Sequence, residues 1–275
     1  MKTASPTRFS PIWMVGALLT TLLLYAITVE PNWIAVTNHS IFKPTGSRQT
    51  PVRIVQISDL HIQRYGRLEK SVVERVRQLV PDVIVLTGDI VDRADTLPAL
   101  EMFLNELRTT PTLAVLGNWE HWSKVDLSEL SRIYAGTAGS RILINETIQL
   151  RIRGRNIAFT GLDDFTAGQP NAHAIPLFTN SDTDTRVVLQ HSPGIFSQDT
   201  KSSPAFRADL CLSGHTHGGQ VTLFGKTLWT PPGSGPFNYG WYQTETCPLY
   251  VSRGIGTSIA PIRFGARPEI ALFEI

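Results

Sequence analysis

The chain has 275 residues, 42% of them hydrophobic, enough for one sizeable domain or two small ones. Its formal charge of +2 comes from 25 basic and 23 acidic residues scattered along the sequence, so no electrostatic footprint for nucleic acid is present. Cys211 and Cys247 are the only cysteines, which rules out a disulfide framework and leaves open whether one bridge joins them.

Residues 1–10 read as a short polar tail. Pro11 to Val29 is an uncharged apolar run long enough to cross a bilayer as a helix. The alternative is a cleaved signal peptide. Against it, the run exceeds a usual signal core, and no small-x-small site precedes Glu30, Pro31 and Trp33. Lys2 and Arg8 lie before the span, whereas Glu30 comes first after it and Lys43 and Arg48 lie further off. The positive-inside rule then expects a single-pass cell-membrane anchor with the rest of the chain outside the cytoplasm. Residues 30–50, with Pro31, Pro44 and Gly46, read as a connector to a folded body at 51–275.

In the body, Val52 to Ser58, Asp82 to Gly88 and Thr112 to Gly117 are short β-rich runs of the kind buried on both faces of a sheet. Between them, Leu68, Val72, Val73, Val76 and Leu79 share one helical face, and Leu100, Phe103, Leu104 and Leu107 share another. This βαβαβ order implies neighbouring parallel strands whose C-terminal ends lie on one edge. Downstream, Leu150 to Gly161 reads as a hairpin around Gly154. Strands are expected near 186–190, 209–213, 220–223, 249–252 and 269–275. The expected fold is α/β, with two sheets packed face to face and helices outside.

Polar residues follow these strands. Asp59 and His61 come after the first, Asp89 and Asp92 after the second, Asn118 after the third; His191, His215 and His217 follow later strands. Strand C-terminal ends are where open parallel sheets place ligands. A lone Asp in such a place is usually a turn residue or helix cap, and a lone buried His is usually just hydrogen-bonded. Five such motifs, each after a strand, favour a shared site. Asp92 reads equally as a residue orienting a metal ligand or as a cap for the next helix. No G-x-S-x-G elbow exists, and the glycine of a nucleotide-binding loop is out of register at "FGKT".

The ordered motifs D-x-H, G-D-x-x-D, G-N-x-E, H and G-H-x-H resemble the calcineurin-like metallophosphoesterase superfamily over residues 51–275. "EPNWIAVTNHSI", "GHTHGGQ" and "SRGIGTSIAPIRFGARPEI" resemble its membrane-anchored branch of phosphodiesterases and UDP-2,3-diacylglucosamine hydrolases. The resemblance implies a four-layer αββα sandwich of two mixed sheets. It also implies two divalent manganese, iron or zinc ions that activate water and clamp phosphoryl oxygens. By matching position, Asp59, His61, Asp89 and His217 would hold one ion. Asp89, Asn118, His191 and His215 would hold the other, with Asp89 bridging ions ~4 Å apart.

The superfamily usually has histidine after the motif asparagine, as the proton donor to the leaving group; here the residue is Trp119. Loss of a general acid costs roughly 10²- to 10⁴-fold for an alkoxide leaving group. Three readings remain: His121 substitutes as the acid, the leaving group needs no proton, or the protein is a non-catalytic metal-binding scaffold or receptor domain. Pyrophosphate chemistry fits Trp119, as it does the soluble UDP-2,3-diacylglucosamine hydrolases, and its ring could line an acyl-chain or sugar surface. Arg253, Arg263, Arg267, Asp163 and Asp164 are further candidates for substrate phosphate, with surface or turn roles as the alternative. The expected substrate is a phosphoester or a lipid-linked one such as UDP-2,3-diacylglucosamine, with no obligate protein partner. That nucleotide lipid is made on the cytoplasmic face, in conflict with an outward-facing catalytic domain.

Overall fold

Fourteen short strands carry the architecture of the computed structural model, which describes residues 11–41, 50–136, 139–174, 183–197 and 206–275. They are β1 (Ala35–Ser40), β2 (Arg53–Ile57), β3 (Val83–Thr87), β4 (Thr112–Val115), β5 (Arg141–Ile142), β6 (Glu146–Ile152), β7 (Arg155–Gly161), β8 (Thr185–Leu189), β9 (Leu210–Ser213), β10 (Thr222–Leu223), β11 (Lys226–Thr227), β12 (Gly240–Gln243), β13 (Pro248–Val251) and β14 (Glu269–Glu274). One six-stranded sheet has the order β1-β14-β2-β3-β4-β5, the other β12-β13-β9-β8-β7-β6. Both are mixed. Strands β2 to β5 run parallel, and so do β7, β8, β9 and β13, while β14, β6 and β12 each add an antiparallel pairing.

The sheets pack face to face. Ile54, Val83, Val85 and Leu113 of the first meet Phe159, Val187, Leu210 and Leu212 of the second in one buried cluster. Helices α2 (Arg67–Leu79), α3 (Leu97–Leu107) and α5 (Leu127–Ala135) cover the outer face of the first sheet. Their buried faces, Val72, Val73 and Val76 in α2 and Leu100, Phe103, Leu104 and Leu107 in α3, show why the 3.6-residue spacing is there. Each such side chain stabilises the fold by about 1.5–3 kcal/mol. The short helix α4 (Asn118–Trp122) lies directly after β4.

The outer face of the second sheet differs from the expected helical layer. Among the described residues it is covered by Phe196, Phe206, Phe237 and Cys247, carried by short turns and loops rather than α-helices. Within this layer Cys211 and Cys247 form a disulfide, the pairing that sequence left open.

The segment read as a connector also differs, because residues 35–40 within it form β1, paired in parallel with β14 from Ala35–Glu269 to Ser40–Glu274. The polar "AVTNHS" run is half exposed at a sheet edge, so it carries no hydrophobic signature.

Helix α1 (Pro11–Leu24) continues through a π-helical stretch, Tyr25–Val29, into a 3-10 turn, Glu30–Asn32. Residues 12–32 form a 21-residue, mostly exposed apolar helix that by length and composition is a candidate membrane span. Its end is fastened to the body. The π geometry sends the Glu30 N–H to Tyr25 O, and the Ala26 carbonyl accepts instead from Arg263 N (3.0 Å). The buried Glu30 carboxylate accepts from Ala266 N (2.7 Å), and the Arg267 guanidinium stacks over Trp33 at 3.8 Å.

Candidate metal centre

Each strand end delivers a polar residue to one place. Asp59 and His61 follow β2, Asp89 follows β3, Asn118 opens α4 after β4, His191 follows β8, and His215 and His217 follow β9. All seven are buried. Ligand atoms of Asp59, His61 and His217 lie within 4.8 Å of one another, and so do those of Asp89, His191 and His215. Asp59, His61, Asp89, His215 and His217 all have positive φ, between 47° and 72°. Such backbone costs on the order of 1–3 kcal/mol per residue and persists where surrounding structure over-determines it. Two glycines make room: a Cβ on Gly117 would overlap the Asp89 carboxylate, and one on Gly214 would overlap Ser58 and Asp59.

The outward ring nitrogens of His191 and His215 are held by backbone carbonyls. His191 Nδ1 donates to Thr87 O (2.7 Å) and His215 Nε2 donates to Pro232 O (2.8 Å), which leaves lone pairs on His191 Nε2 and His215 Nδ1. Those lone pairs face each other at 3.2 Å. Asp89 Oδ2 and Asn118 Oδ1 stand 3.0 and 3.2 Å from the same His191 Nε2. On the other side His61 Nδ1 donates to Asp92 Oδ1 (2.5 Å), turning the His61 Nε2 lone pair toward His217 Nε2 (3.1 Å). Asp59 Oδ1 lies 3.4 Å from that His217 nitrogen. Asp89 Oδ2, 3.9 Å from His61 Nε2, faces both groups. Carboxylate and amide oxygens converging with imidazole nitrogens in a buried place fit cations, and the oxygen–imidazole set suits divalent transition metals.

Without cations the same crowding distorts titration. Burial alone would raise Asp89, but the adjacent His191 and His61 imidazoles push it down to about 2. Burial dominates at Asp59 and raises it. His191 is held well above its ordinary value because Asp89 and Asp59 outweigh its burial; burial together with His61 and Arg263 holds His217 well below.

Glu120, the acid of the G-N-x-E motif, is buried and organises the loop. Its Oε1 accepts from Ile90 N (2.7 Å) and Val91 N (3.1 Å), and its Oε2 from Gly117 N (2.8 Å) and Asp89 N (3.0 Å). The signal was present: an acid three residues into a helix after glycine.

The remaining candidates fall apart from one another. Trp119 N donates to Asp89 Oδ1 (2.8 Å), and its ring meets His61 edge-on at 6.0 Å. His121, expected as the acid, turns to Asp163 (Nε2–Oδ1 2.7 Å) and does not line the metal cleft. Asp163 and Asp164 accept from the backbone N–H groups of their own turn, and Asp164 also from Ser192 Oγ. Arg253, expected at substrate, is paired with buried Glu269 (3.2 Å). Arg263, also expected there, is fully buried. Its guanidinium donates to the carbonyls of Arg253, Gly256 and Ala266 and lies 3.3 Å from His217 Nδ1, so it pins the loops behind the centre instead.

In front of the centre is a cleft of about 580 Å³. Its lining combines Asp89, Asn118, His215 and His217 with the apolar side chains Trp119, Trp122, Leu228, Trp229 and Ile259.

A profile of the family described as calcineurin-like phosphoesterase matches residues 52–219. The uncharacterized metallophosphoesterase YkuE of Bacillus subtilis (strain 168) is 35% identical over 263 residues, covering 91% of this chain and 88% of its own length. Phosphodiesterase YaeI of Escherichia coli (strain K12) is 29% identical, covering 90% of each chain. A bovine transmembrane protein with a metallophosphoesterase domain is 30% identical over 80% of this chain, which spans about half of that protein's length (52%). Among solved structures, a dimetal phosphatase from Danio rerio aligns at a TM-score of 0.48 and 12% identity, over 82% of this chain and 99% of that one. With its two ligand groups at the strand ends and its family motifs matched across most of the body, the chain belongs to the calcineurin-like phosphoesterases, metal-dependent enzymes that use two divalent ions.

Proposed function

We propose that the chain is a membrane-anchored hydrolase of phosphodiester or pyrophosphate bonds with good leaving groups, acting on a lipid-linked substrate. The observation that carries this is the cleft, whose lining joins candidate metal ligands with Trp119, Trp122, Leu228, Trp229 and Ile259. Two divalent ions bound there would supply an activated water and neutralise charge on the phosphoryl oxygens. The protein's own part is to hold and orient. Asp89 Oδ2 faces both ligand groups, while Oδ1 is fixed by Trp119 N. Thr87 O, Pro232 O and Asp92 set the tautomers of His191, His215 and His61. Among the described residues, the only histidines lining the cleft are the ligands His215 and His217. A leaving group that departs unprotonated suits that lining; an apolar wall suits acyl chains.

The membrane side of the reading rests on the apolar helix of residues 12–32 and on the charges that flank it. The Cys211–Cys247 disulfide supports an oxidising compartment, and thus a body outside the cytoplasm. That location favours a lipid-linked phosphoester of the outer face over UDP-2,3-diacylglucosamine. Metal analysis with a phosphoester screen tests the chemistry: two transition-metal equivalents and chelator-sensitive turnover are expected, and full activity in metal-free protein would overturn it. A C-terminal reporter fusion tests the side, and activity only in the cytoplasm would reverse the orientation and restore the nucleotide lipid.

A further inference from the structure

Two loops beside the cleft combine exposure, apolarity and backbone cost in a way that packing does not account for. At the tip of the β10–β11 hairpin, Phe224 (φ 51°) and Gly225 (φ 75°) form a two-residue turn with both residues left-handed. That turn favours Asn-Gly, yet its first place holds phenylalanine, 95% exposed. In the facing loop Ile259 is a β-branched residue with φ 64°, and 88% exposed. Gln220 clamps this loop, donating from Nε2 to Ala260 O (2.9 Å) and accepting at Oε1 from Ser258 N (2.9 Å). Leu228 (65%), Trp229 (58%) and Trp122 (56%) extend the exposed apolar rim around the cleft mouth.

Both loops are tied to the end of the apolar helix. Thr222 N donates to Phe264 O (2.7 Å), Val221 bridges to Phe264, and the Phe264 ring packs edge-on against Tyr25 at 6.3 Å. Arg263 N, three residues after Ala260, donates to Ala26 O. The rim is therefore held in fixed relation to the helix.

We propose that this rim is a second membrane contact, in which Phe224, Ile259, Leu228 and Trp229 enter the interfacial layer of the bilayer and open the metal cleft directly onto lipid. The proposal rests on the reading of the apolar helix as a membrane anchor. The occupant is the bilayer because the rim is continuous with the segment that would span it. Tryptophan and phenylalanine are side chains suited to the interface, and Lys226, exposed in the same hairpin, suits anionic headgroups.

Because both native cysteines are in the disulfide, single cysteines introduced into the full chain can carry an environment-sensitive fluorophore. Leu19→Cys reports the anchor, Phe224→Cys and Ile259→Cys the rim, and Arg151→Cys the exposed β6 strand in the second sheet. In nanodiscs of phosphatidylcholine and phosphatidylglycerol containing nitroxide-labelled lipid, quenching at positions 224 and 259 is expected to be at least twofold that at 151, with position 19 strongly quenched. Quenching at 19 but only background at 224 and 259 would overturn the rim contact and leave the anchor standing. No quenching at 19 would overturn the anchor and the contact with it. Phe224→Asn, which suits the turn, is expected to keep thermal stability and reduce quenching at 259. A fall in stability would assign Phe224 to packing and overturn its role at the membrane.

Discussion

Asp92 Oδ1 stands 2.5 Å from His61 Nδ1 and fixes the proton there, so the opposite ring nitrogen is presented to the centre as a lone pair. Gln63 Nε2 holds the other Asp92 oxygen at 3.0 Å. Carboxylate partners of this kind are worth about 10- to 100-fold in metal affinity. Asp92→Ala is expected to lower affinity at the His61 group by that factor with the fold intact, read by competitive chelator titration. Asp92→Asn, whose carbonyl still accepts from Nδ1, should lose less. Unchanged affinity in Asp92→Ala would confine the residue to loop structure.

Glu120 is the strongest structural control on Asp89. Four backbone N–H groups, those of Gly117, Asp89, Ile90 and Val91, end on its two oxygens in a buried place. Hydrogen bonds to a charged group are worth about 1.5–3 kcal/mol each, and buried donors left unmatched cost about 1–3 kcal/mol. Glu120→Gln, which turns an amide NH₂ toward some of these donors, should destabilise the apo protein by at least about 2 kcal/mol in urea unfolding and lower metal occupancy. A variant of wild-type stability with full occupancy would show that the Asp89 loop holds its strained shape unaided.

The His121–Asp163 pair gives a pH signature separate from the metal ligands. The hydrogen bond that His121 donates to Asp163 raises His121 against the opposing effect of burial; Asp163 is lowered despite its burial, by His121 and by backbone donors. A raised histidine contributes stability that is full below its free value of ~6.5 and fades as pH climbs through the raised folded value. A depressed carboxylate contributes above ~3.9 and fades as pH falls through its folded value. The pair therefore contributes most between about pH 4 and 6.5. Because both groups are partly exposed, the loss in His121→Ala should be about 1 kcal/mol at pH 6 and smaller at pH 8.5. Its effect on turnover should be uniform across leaving groups. A loss confined to poor leaving groups would return His121 to the role of acid.

Strands β2, β3 and β4 were legible because each is an apolar run buried on both faces, and their ends were legible because a polar residue follows each run. The same logic singled out the seven candidate ligands whose buried side chains the structure gathers at the strand ends. Glu120 was not legible as a clamp, since an acid in a first helical turn reads as an ordinary start signal. Residues 35–40 were missed because a half-exposed edge strand needs no apolar alternation. Arg263 reads from sequence as a phosphate-binding or surface residue, and arginine is rarely fully buried. Only the three-dimensional crossing of 253–256, 266 and His217 supplies the carbonyls that hold it. The pairing of Cys211 with Cys247 depends on the approach of β9 to the loop before β13, a distance that residue spacing does not contain.

Trp119 occupies the place where the superfamily resemblance calls for a histidine acid, and its indole N–H is far too weak an acid to protonate a leaving group. Its backbone N–H is committed to Asp89, and its ring packs between His61 and Trp122 at 6.0 and 5.7 Å. With His121 turned to Asp163, a departing alkoxide finds no side chain of useful acidity among the described cleft residues apart from the candidate ligands, since indole, amide and hydroxyl groups hold their protons too tightly. Activation of the attacking water survives this loss, but protonation of a poor leaving group does not. Turnover should therefore fall steeply with rising leaving-group pKa, so that pyrophosphates and nitrophenyl phosphodiesters exceed alkyl phosphodiesters by about 10²-fold or more. Trp119→His should raise the alkyl rate selectively and change the nitrophenyl rate little. Rates of Trp119→His and wild type that keep one ratio across a leaving-group series would show that position 119 shapes the cleft without deciding which bonds it breaks.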